Sequence, residues 1–286
     1  MTIDLTAART FVRVEGRILE QRVAEALFDG GGTGPVVHAV TAYRNEDGGF
    51  GHGLEPDKLA PSSQPLDVEV ALERLVTVGA SAPDLVTGAC DFLATVSEGG
   101  AVPIAFASIH DHPHAVHWSE IPLVAGQNPT ASIAGYAHAL GVRHAWVDEA
   151  TEWSFHSLEA DGPPPEVHAL RCVTRLVEHA PDRARAQSAA AAIAAALPGT
   201  PMYQERPVEG EYGLSPLEFA PTPTSLGRSW FADDVIEANL DHLERLQQDD
   251  GGWPIAWEPP GSAALGAWRG IVTVQALEIL TAYGRL

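Results

Sequence analysis

The sequence predicts an all-α protein, an α/α toroid in which about five to six helical hairpins close into a ring. Apolar residues recur at spacings of three and four along most of the chain, and a glycine-rich turn is repeated near both ends. The terminal helical segments are as apolar as the middle ones, whereas an open array of repeats ends in caps with a polar outer face. The repeat therefore favours closure and one domain over residues 1–286.

Helical periodicity identifies most elements, and Gly and Pro mark the connections between them. The predicted helical segments are 5–27, 36–43, 66–78, 85–96, 133–142, 147–158, 167–177, 236–246 and 271–283. Strict alternation of apolar and polar residues is scarce, so no long strand is predicted. Before residue 236, Ser229 or Asp233 is expected to cap the helix and supply N-terminal negative charge.

The repeat is centred on a turn of sequence Asp-Gly-Gly followed by an aromatic residue. Residues 47–57 (DGGFGHGLEPD) align without gaps on residues 250–260 (DGGWPIAWEPP), and a helical segment follows each turn. A weaker third copy lies at 99–106, where a Pro-Ile-Ala-aromatic string recurs. One such hairpin cannot bury its own apolar face, so neighbouring hairpins must stack.

These turns resemble the prenyltransferase and squalene-cyclase repeat, whose mark is a glutamine, a few residues, a glycine and an aromatic residue at the end of an outer helix. Residues 246–253 (LQQDDGGW) match it, and residues 43–50 (YRNEDGGF) match with Arg44 in the place of the glutamine. The resemblance implies a toroid in which the glutamine caps one helix and bonds toward the next, while the aromatic ring stacks over it. Residues 143–230 hold no clear copy of the motif.

The catalytic motifs of that family are missing from the sequence. It has no Asp-x-Asp-Asp acid, and the nearest string is FADD at 231–234. It also lacks the DDxxD signature that binds diphosphate through magnesium, and neither cysteine lies in a sequence that matches a prenyltransferase zinc site. The resemblance implies a terpenoid-cyclase-like protein, a lyase or isomerase if it is an enzyme. The resemblance further implies a hydrophobic small-molecule ligand, such as an isoprenoid, held in a central cavity.

The candidate functional residues lie in and beside the loops that enter the inner helices, which a toroid gathers around the mouth of its cavity. The predicted catalytic carboxylates are Glu55, Asp57, Asp67, Glu69 and Glu258. The predicted substrate-binding residues are Gln64, Trp118, Glu120, Asn128, Trp257, Trp268 and Arg269. Closely spaced carboxylates raise one another's proton affinity, as a general acid requires, and tryptophans stabilise a cation or stack on a sugar.

Two other functions remain open at this point. A carbohydrate hydrolase or lyase would use two of these carboxylates, held about 5 to 9.5 Å apart across an open cleft. A toroid without catalytic activity would serve as a binding module. Each candidate residue also has a structural alternative, because a carboxylate after a turn accepts backbone N–H bonds and a tryptophan commonly belongs to the core.

Composition excludes several classes of partner. The 38 acidic and 17 basic side chains give a formal net charge of -21, which repels nucleic acids and anionic membrane surfaces. The longest apolar run, 189–197, is too short for a membrane span, and the N-terminal sequence lacks signal-peptide features, so a cytoplasmic location is predicted. Cys90 and Cys172 lie far apart without a CxxC partner, and the histidines of 110–117 are interpreted as a solvated loop, so neither metal nor cofactor is expected.

Overall fold

A computed structural model of the chain describes residues 3–286 and is mostly helical, with 60% of residues in helices and 4% in strands. The all-α class is therefore confirmed. In chain order the helices of this range are α1 (Leu5–Glu15), α2 (Ile18–Phe28), α3 (Gly34–Thr41), α4 (Pro65–Thr77), α5 (Pro83–Val96), α6 (Gln127–Ala139), α7 (Ala145–Asp161), α8 (Val167–His179), α9 (Arg183–Ala196), α10 (Pro216–Phe219), α11 (Asp233–Arg245) and α12 (Ser262–Ala282). Two short strands, β1 (Val102–Pro103) and β2 (Ala125–Gly126), pair antiparallel. Residues 1 and 2, the start of the segment without signal-peptide features, lie outside the described range.

Two elements differ from the prediction for identifiable reasons. The predicted segment 5–27 is two helices, because Gly16 and Arg17 adopt extended backbone conformations between α1 and α2. Helix α9 was not predicted, since its alanine-rich sequence shows little apolar periodicity. Asp182 starts it, accepting hydrogen bonds from two backbone N–H groups of the first turn.

Three helix starts also correct the sequence analysis. The prediction that Asp233 or Ser229 caps α11 was wrong, because the cap residue is Ala232 and makes no side-chain cap hydrogen bond. Asp233 and its neighbour lie inside the first turn, where their charge is favourable. Helices α6 and α12 begin before the predicted positions, since their first turns hold polar and small residues that carry no apolar period.

The chain forms two compact units, which are described separately: a middle unit, Thr33–Pro201, and a two-segment unit of residues 3–32 with 202–286. In the middle unit, α4, α6 and α8 pack side by side in one row, and α5, α7 and α9 form a second row. Contacts from α6 to α7 and from α8 to α9 join the rows. Successive helices therefore contribute alternately to two layers, as expected for repeated hairpins.

In the two-segment unit, α1, α2 and α11 all contact α12. Helix α12 has the length and apolar composition of a membrane-spanning helix, and half of its apolar window is buried. A helix packed in a protein core has the same properties, so this feature is weak support for a membrane span.

Two Asp-Gly-Gly turns, one in each unit, have equivalent glycines. Gly48 and Gly251 both have φ of 91°, a conformation that side chains disfavour. A Cβ atom on either glycine would lie 2.4 Å from a carbonyl oxygen of a neighbouring helix, that of Gly88 in α5 or that of Ala7 in α1. Each turn therefore requires glycine both for its backbone conformation and for its close approach to the adjoining helix.

The other residues of the second turn fasten it to its unit. The Gln247 side chain accepts from the Asp4 N–H (2.8 Å) and donates to the Asp4 carbonyl (2.9 Å), joining the end of α11 to the start of α1. Trp253 is 2% exposed and donates from Nε1 to the Leu243 carbonyl at 2.8 Å. Phe50, the equivalent of Trp253, is fully buried in the middle unit. The turns are thus mechanical joints between helices.

The weaker copy at 99–106 keeps one part of this arrangement. Gly100 has φ of 94°, and a Cβ atom there would lie 2.8 Å from the carbonyl group of Glu149 in α7. The chain then enters β1, whose pairing with β2 leads directly into α6. The glycine-to-helix contact is therefore present in the third copy, in the same unit as the first.

Candidate functional site

Two connections of the middle unit lie against each other, the one that enters α4 and the one that enters α6. The Leu59 N–H donates to the Pro113 carbonyl at 2.9 Å, and the Ala115 N–H donates to the Asp57 carbonyl at 2.8 Å. A small apolar cluster lies between them, formed by Ala60, Ala105, Ile109, Ala115 and Trp118. These two loops, which the sequence analysis grouped, therefore do meet.

A buried charged group, the Lys58 cluster, occupies this junction and consists of Glu55, Asp57, Lys58, Asp67 and Trp118. Lys58 Nζ lies 2.6 Å from Asp67 Oδ2 and 3.5 Å from Glu55 Oε2. The ammonium group also lies 5.9 Å from the centroid of a Trp118 ring. Lys58 is fully buried, so its charge depends chiefly on the Asp67 carboxylate for stabilisation.

Asp67 fixes the loop to the start of α4. It is the third residue of the helix, after Pro65 in the first turn, and its charge is favoured there by the helix dipole. While Oδ2 pairs with Lys58, Oδ1 accepts from the Glu55 N–H at 2.6 Å. Asp67 therefore stabilises the start of α4 and also holds Glu55 and Lys58 in place.

Glu55 is the perturbed acid of the cluster. Burial raises its pKa to about 8, and the carboxylates of Asp57 and Asp67 act in the same direction against the partly opposing charge of Lys58. Its Oε2 atom is buried and has no hydrogen-bond partner within residues 3–286. Burial therefore favours the protonated form of Glu55.

Asp57 and Trp118 complete the Lys58 cluster. Asp57 is 3% exposed, and its Oδ2 lies 3.8 Å from Nε2 of His117, whose side chain is 46% exposed. Trp118 is 2% exposed, and in the described part of the chain its Nε1 has no hydrogen-bond partner. The cluster thus combines a carboxyl group of raised pKa, an indole donor and a carboxylate beside a surface histidine.

Two predicted binding residues of these loops lie outside the cluster. Gln64 is fully buried and uses its amide to join the loops, donating to the hydroxyls of Ser62 (3.0 Å) and Ser108 (3.1 Å) and accepting from the Phe106 N–H (2.8 Å). Glu120 is exposed. The structure therefore assigns Gln64 a structural contact and places Glu120 at the surface.

Glu69 and Asn128 belong to a second group, between α4, α6 and α8. The Cys172 thiol lies 3.6 Å from Asn128 Oδ1 and 3.9 Å from Glu69 Oε1. Burial raises the pKa of Glu69, and it raises the pKa of the Cys172 thiol well above its usual value. Both groups are therefore biased toward the protonated form, and Cys172 is a poor nucleophile.

A third group, the arginine cluster, was not predicted and consists of Glu73, Arg74, Tyr136, Arg171 and Arg175. Arg74 Nη2 lies 3.1 Å from Glu73 Oε2, and the Tyr136 hydroxyl donates to Glu73 Oε1 at 3.3 Å. Burial acts to raise the pKa of Glu73, but the three arginines outweigh it and the pKa is lowered. The i, i+4 spacing of Arg171 and Arg175 was the available sequence signal.

The two-segment unit contains two of the three predicted tryptophans, Trp257 and Trp268, and the fifth predicted catalytic carboxylate, Glu258. Trp257 packs edge-to-face with Trp268 (ring centroids 5.0 Å apart) and with Tyr212 (5.5 Å). Both tryptophans are partly buried, whereas Glu258 is exposed. Glu258 therefore differs from Glu55 in its environment, although the two occupy equivalent positions of the sequence repeat.

Arg269, a predicted binding residue, fastens the second Asp-Gly-Gly turn. It donates to Asp250 Oδ2 at 2.8 Å, to Gln248 Oε1 at 2.7 Å and to the Trp253 carbonyl at 3.1 Å. Its guanidinium group also stacks on Phe11, 4.4 Å from the ring centroid. These contacts make Arg269 a residue of the turn in this structure, a role that the sequence analysis did not foresee.

The histidine-rich loop makes local contacts. His110 and His114 have ring centroids 5.5 Å apart, and His114 Nε2 lies 3.0 Å from Ser119 Oγ. Within residues 3–286 no group of three or more His, Cys, Asp or Glu side chains is arranged to hold a metal ion. Cys90 and Cys172 are free and buried.

Comparison with known proteins adds information on the fold. No protein-family profile matches the chain, and no curated protein matches its sequence. Its structure is similar to a crystal structure of a protein from Actinoplanes, with a TM-score of 0.54 and 15% sequence identity. The similarity covers 98% of this chain and 89% of the other. At this identity the likeness extends to the helical fold alone.

Proposed function

We propose that this protein is a terpenoid-cyclase-like enzyme in which Glu55 is the general acid for a small hydrophobic substrate, such as a linear isoprenoid. The observation that carries the proposal is the state of the Glu55 carboxyl. It is buried, its pKa is raised to about 8, and its Oε2 has no hydrogen-bond partner within the described residues. A group protonated at neutral pH and inside the protein meets the requirements of an acid catalyst.

In the proposed step, Glu55 protonates an alkene of the substrate, or the oxygen of an epoxide, whose C–O bond then breaks to leave a hydroxyl group and a carbocation. The alkene electron pair forms the new C–H bond and leaves a carbocation, while the Glu55 carboxylate gains stabilisation from the Lys58 ammonium 3.5 Å away. The cation then loses a neighbouring proton to the Glu55 carboxylate, which restores the acid and completes an isomerisation without any redox partner. Trp118, packed in the same cluster, contributes an aromatic face that stabilises cationic charge.

We also propose that the helical hairpins close into the α/α toroid that the repeat predicts. Support comes from the equivalent Gly48 and Gly251 turns, each requiring glycine against a neighbouring helix of its own unit. The predicted tryptophan cavity and the role of Glu258 depend on this closure. An experimental density map of the whole chain tests it directly.

A binding module without catalytic activity is the second candidate. It is favoured by the 6% exposure of Glu55 and by the fully buried Lys58–Asp67 pair, which together fasten the loop to α4. The hydrolase alternative has less support, because Glu55 and Glu69 lie in different buried groups and Glu258 is exposed. Turnover, rather than binding, separates the two leading candidates.

The test is turnover of a panel of linear isoprenoid alkenes and epoxides, followed by gas chromatography with mass detection. We expect Glu55→Gln to abolish product formation while the matched substitution of an exposed carboxyl, Glu46→Gln, leaves it unchanged. Because the protonated acid is required, kcat/KM should fall about tenfold per pH unit above a pKa of about 8. Ligand binding without turnover would select the binding module, and turnover retained in Glu55→Gln would refute the acid assignment.

A further inference from the structure

We propose that the cleft between α7 and α9 binds a small organic cation, an ammonium group carried on an apolar body. The cleft is an open cavity of about 340 Å³, lined by residues of the middle unit. This volume lies within the range of about 300 to 1,000 Å³ that is typical of sites for small molecules. The lining residues do not include any member of the Lys58 cluster, so binding here does not depend on Glu55 being an acid catalyst.

The cleft exists because α9 presents small side chains to α7. Arg185, Ser188 and Ala192 are spaced i, i+3 and i+7, so they lie on one face of α9. Phe155 and Leu158, spaced i and i+3, face the cleft from α7. A serine and an alanine are too small to fill the space opposite these two residues, which leaves a cavity open to a ligand.

The walls of the cleft are largely apolar and provide a site for the body of the ligand. The apolar lining residues are Phe155, Leu158, Pro163, Ala189 and Ala192. Phe155 and Ala189 are buried, whereas Ala192 is exposed at the opening. An apolar group that enters the cleft is therefore removed from water, which favours binding.

The charges at the edge of the cleft favour a cation over an anion. Among the described residues that line it, Arg185 alone is basic, and two carboxylates of α7 share its charge. Arg185 Nε lies 2.7 Å from Glu159 Oε1, and its Nη1 lies 2.6 Å from Glu152 Oε2. One guanidinium group thus faces two carboxylates. The remaining negative charge at the edge is complementary to an ammonium group.

The neighbouring charged groups do not reverse this balance. Hydrogen bonds from Arg185 lower the pKa of Glu152, so this carboxylate is ionised at neutral pH. Asp182 also acts on Glu152, and its negative charge offsets the positive charge that His156 carries when protonated. The side chains of Glu152 and Glu159 are 68% and 55% exposed, so their remaining lone pairs are accessible to an ammonium donor. An anion would have to displace one of these carboxylates from Arg185.

An NMR titration of the full chain, followed through the signals of Ala189 in the cleft, tests the proposal. Three probes of similar size, each with a phenyl ring, are compared at constant ionic strength: phenethylammonium, uncharged 2-phenylethanol and anionic phenylacetate. We expect phenethylammonium to bind with a Kd of about 1 mM or lower, the alcohol several-fold more weakly and phenylacetate at least about tenfold more weakly. The proposal is overturned if phenethylammonium does not bind below about 10 mM, or if either of the other probes binds as tightly.

Two pairs of variants test the position and the charge of the site. Ala192→Leu fills the cleft and should weaken phenethylammonium binding at least about tenfold, whereas Ala191→Leu changes an exposed alanine outside the lining and should bind as the wild type does. Glu159→Gln should remove most of the preference for the ammonium over the alcohol, and Glu149→Gln, at an exposed position of α7 outside the lining, should keep it. Near-ultraviolet circular dichroism checks folding, and Ser188→Leu replaces Ala192→Leu if that variant does not fold. A folded cleft-filling variant that binds like the wild type, or a Glu159→Gln protein with unchanged preference, would refute the site.

Discussion

Glu55 should make the free energy of unfolding fall as pH rises, because burial raises its pKa despite the nearby Lys58 ammonium. Its pKa is about 8 in the folded protein, against an ordinary value of 4.5, so the folded state holds its proton more tightly. The associated stability is fully present below pH 4.5 and is lost as pH rises toward 8, at about 1.4 kcal/mol per pH unit. Glu55→Gln cannot ionise, so it should be more stable than the wild type at pH 8, as measured by urea unfolding.

The control for this prediction is Glu46→Gln, which changes an exposed carboxyl and should follow the wild-type pH profile. The wild type and Glu55→Gln should have similar stability near pH 4.5, because Glu55 of the folded wild type is protonated at that pH. A Glu55→Gln profile that falls with pH as steeply as that of the wild type would show that Glu55 is not the titrating group.

At the residue scale, the sequence was informative where local signals exist. Glu55 and Asp67 were identified because they flank Pro-containing turns that enter a helix. Lys58 was missed, since a single lysine in an acidic loop shows no pattern and its burial arises from the docking of a second loop. Arg171 of α8 lies 3.9 Å from Glu69 of α4, about a hundred residues earlier in the chain, a proximity that periodicity cannot reveal.

At the scale of the element, the aromatic residue of the Asp-Gly-Gly turn should stabilise the fold. Trp253 is 2% exposed, so Trp253→Ala should cost about 3 to 5 kcal/mol and lower the melting temperature by about 6 to 20 °C. Trp253→Phe copies the residue of the other turn and loses chiefly the Nε1 hydrogen bond to Leu243, worth about 1 kcal/mol. Scanning calorimetry of the variants checks the order.

Val14→Ala is the matched control, because Val14 is 70% exposed on α1 in the same unit and its truncation should change stability by about 0.5 kcal/mol or less. Equal melting temperatures for Trp253→Ala and this control would remove the structural role assigned to the turn.

Helix positions could be predicted where regularly spaced apolar residues mark the buried face of a helix. Helices α4, α5 and α8 match their predicted segments closely, since each buries regularly spaced apolar residues. The first turns of α6 and α12 and the whole of α9 were not identified, because alanine, glycine and polar residues there pack in the fold without a periodic signal. Tertiary contacts, rather than sequence period, determine those boundaries.

At the scale of the whole molecule, self-repulsion should make stability depend on salt. The formal net charge of -21 acts across the surface, whereas the Lys58–Asp67 pair is fully buried and little affected by ions. Raising sodium chloride from about 20 mM to about 300 mM shortens the screening length and should raise the melting temperature. A melting temperature that falls over this range would show that attractive surface ion pairs dominate instead.

The two-segment unit has a consequence for synthesis on the ribosome. Its first segment, residues 3–32, emerges before Thr33–Pro201, so it waits roughly 10 to 30 seconds before residues 202–286 begin to appear. During that delay the side of α1 formed by Ala8, Phe11 and Val12 lacks α12, the helix that it contacts in the finished protein. A nascent chain stalled before Gln247 would lack the two hydrogen bonds between Gln247 and Asp4 at the start of α1. The apolar side of α1 is exposed during this interval, so a chaperone would bind the nascent chain most usefully then.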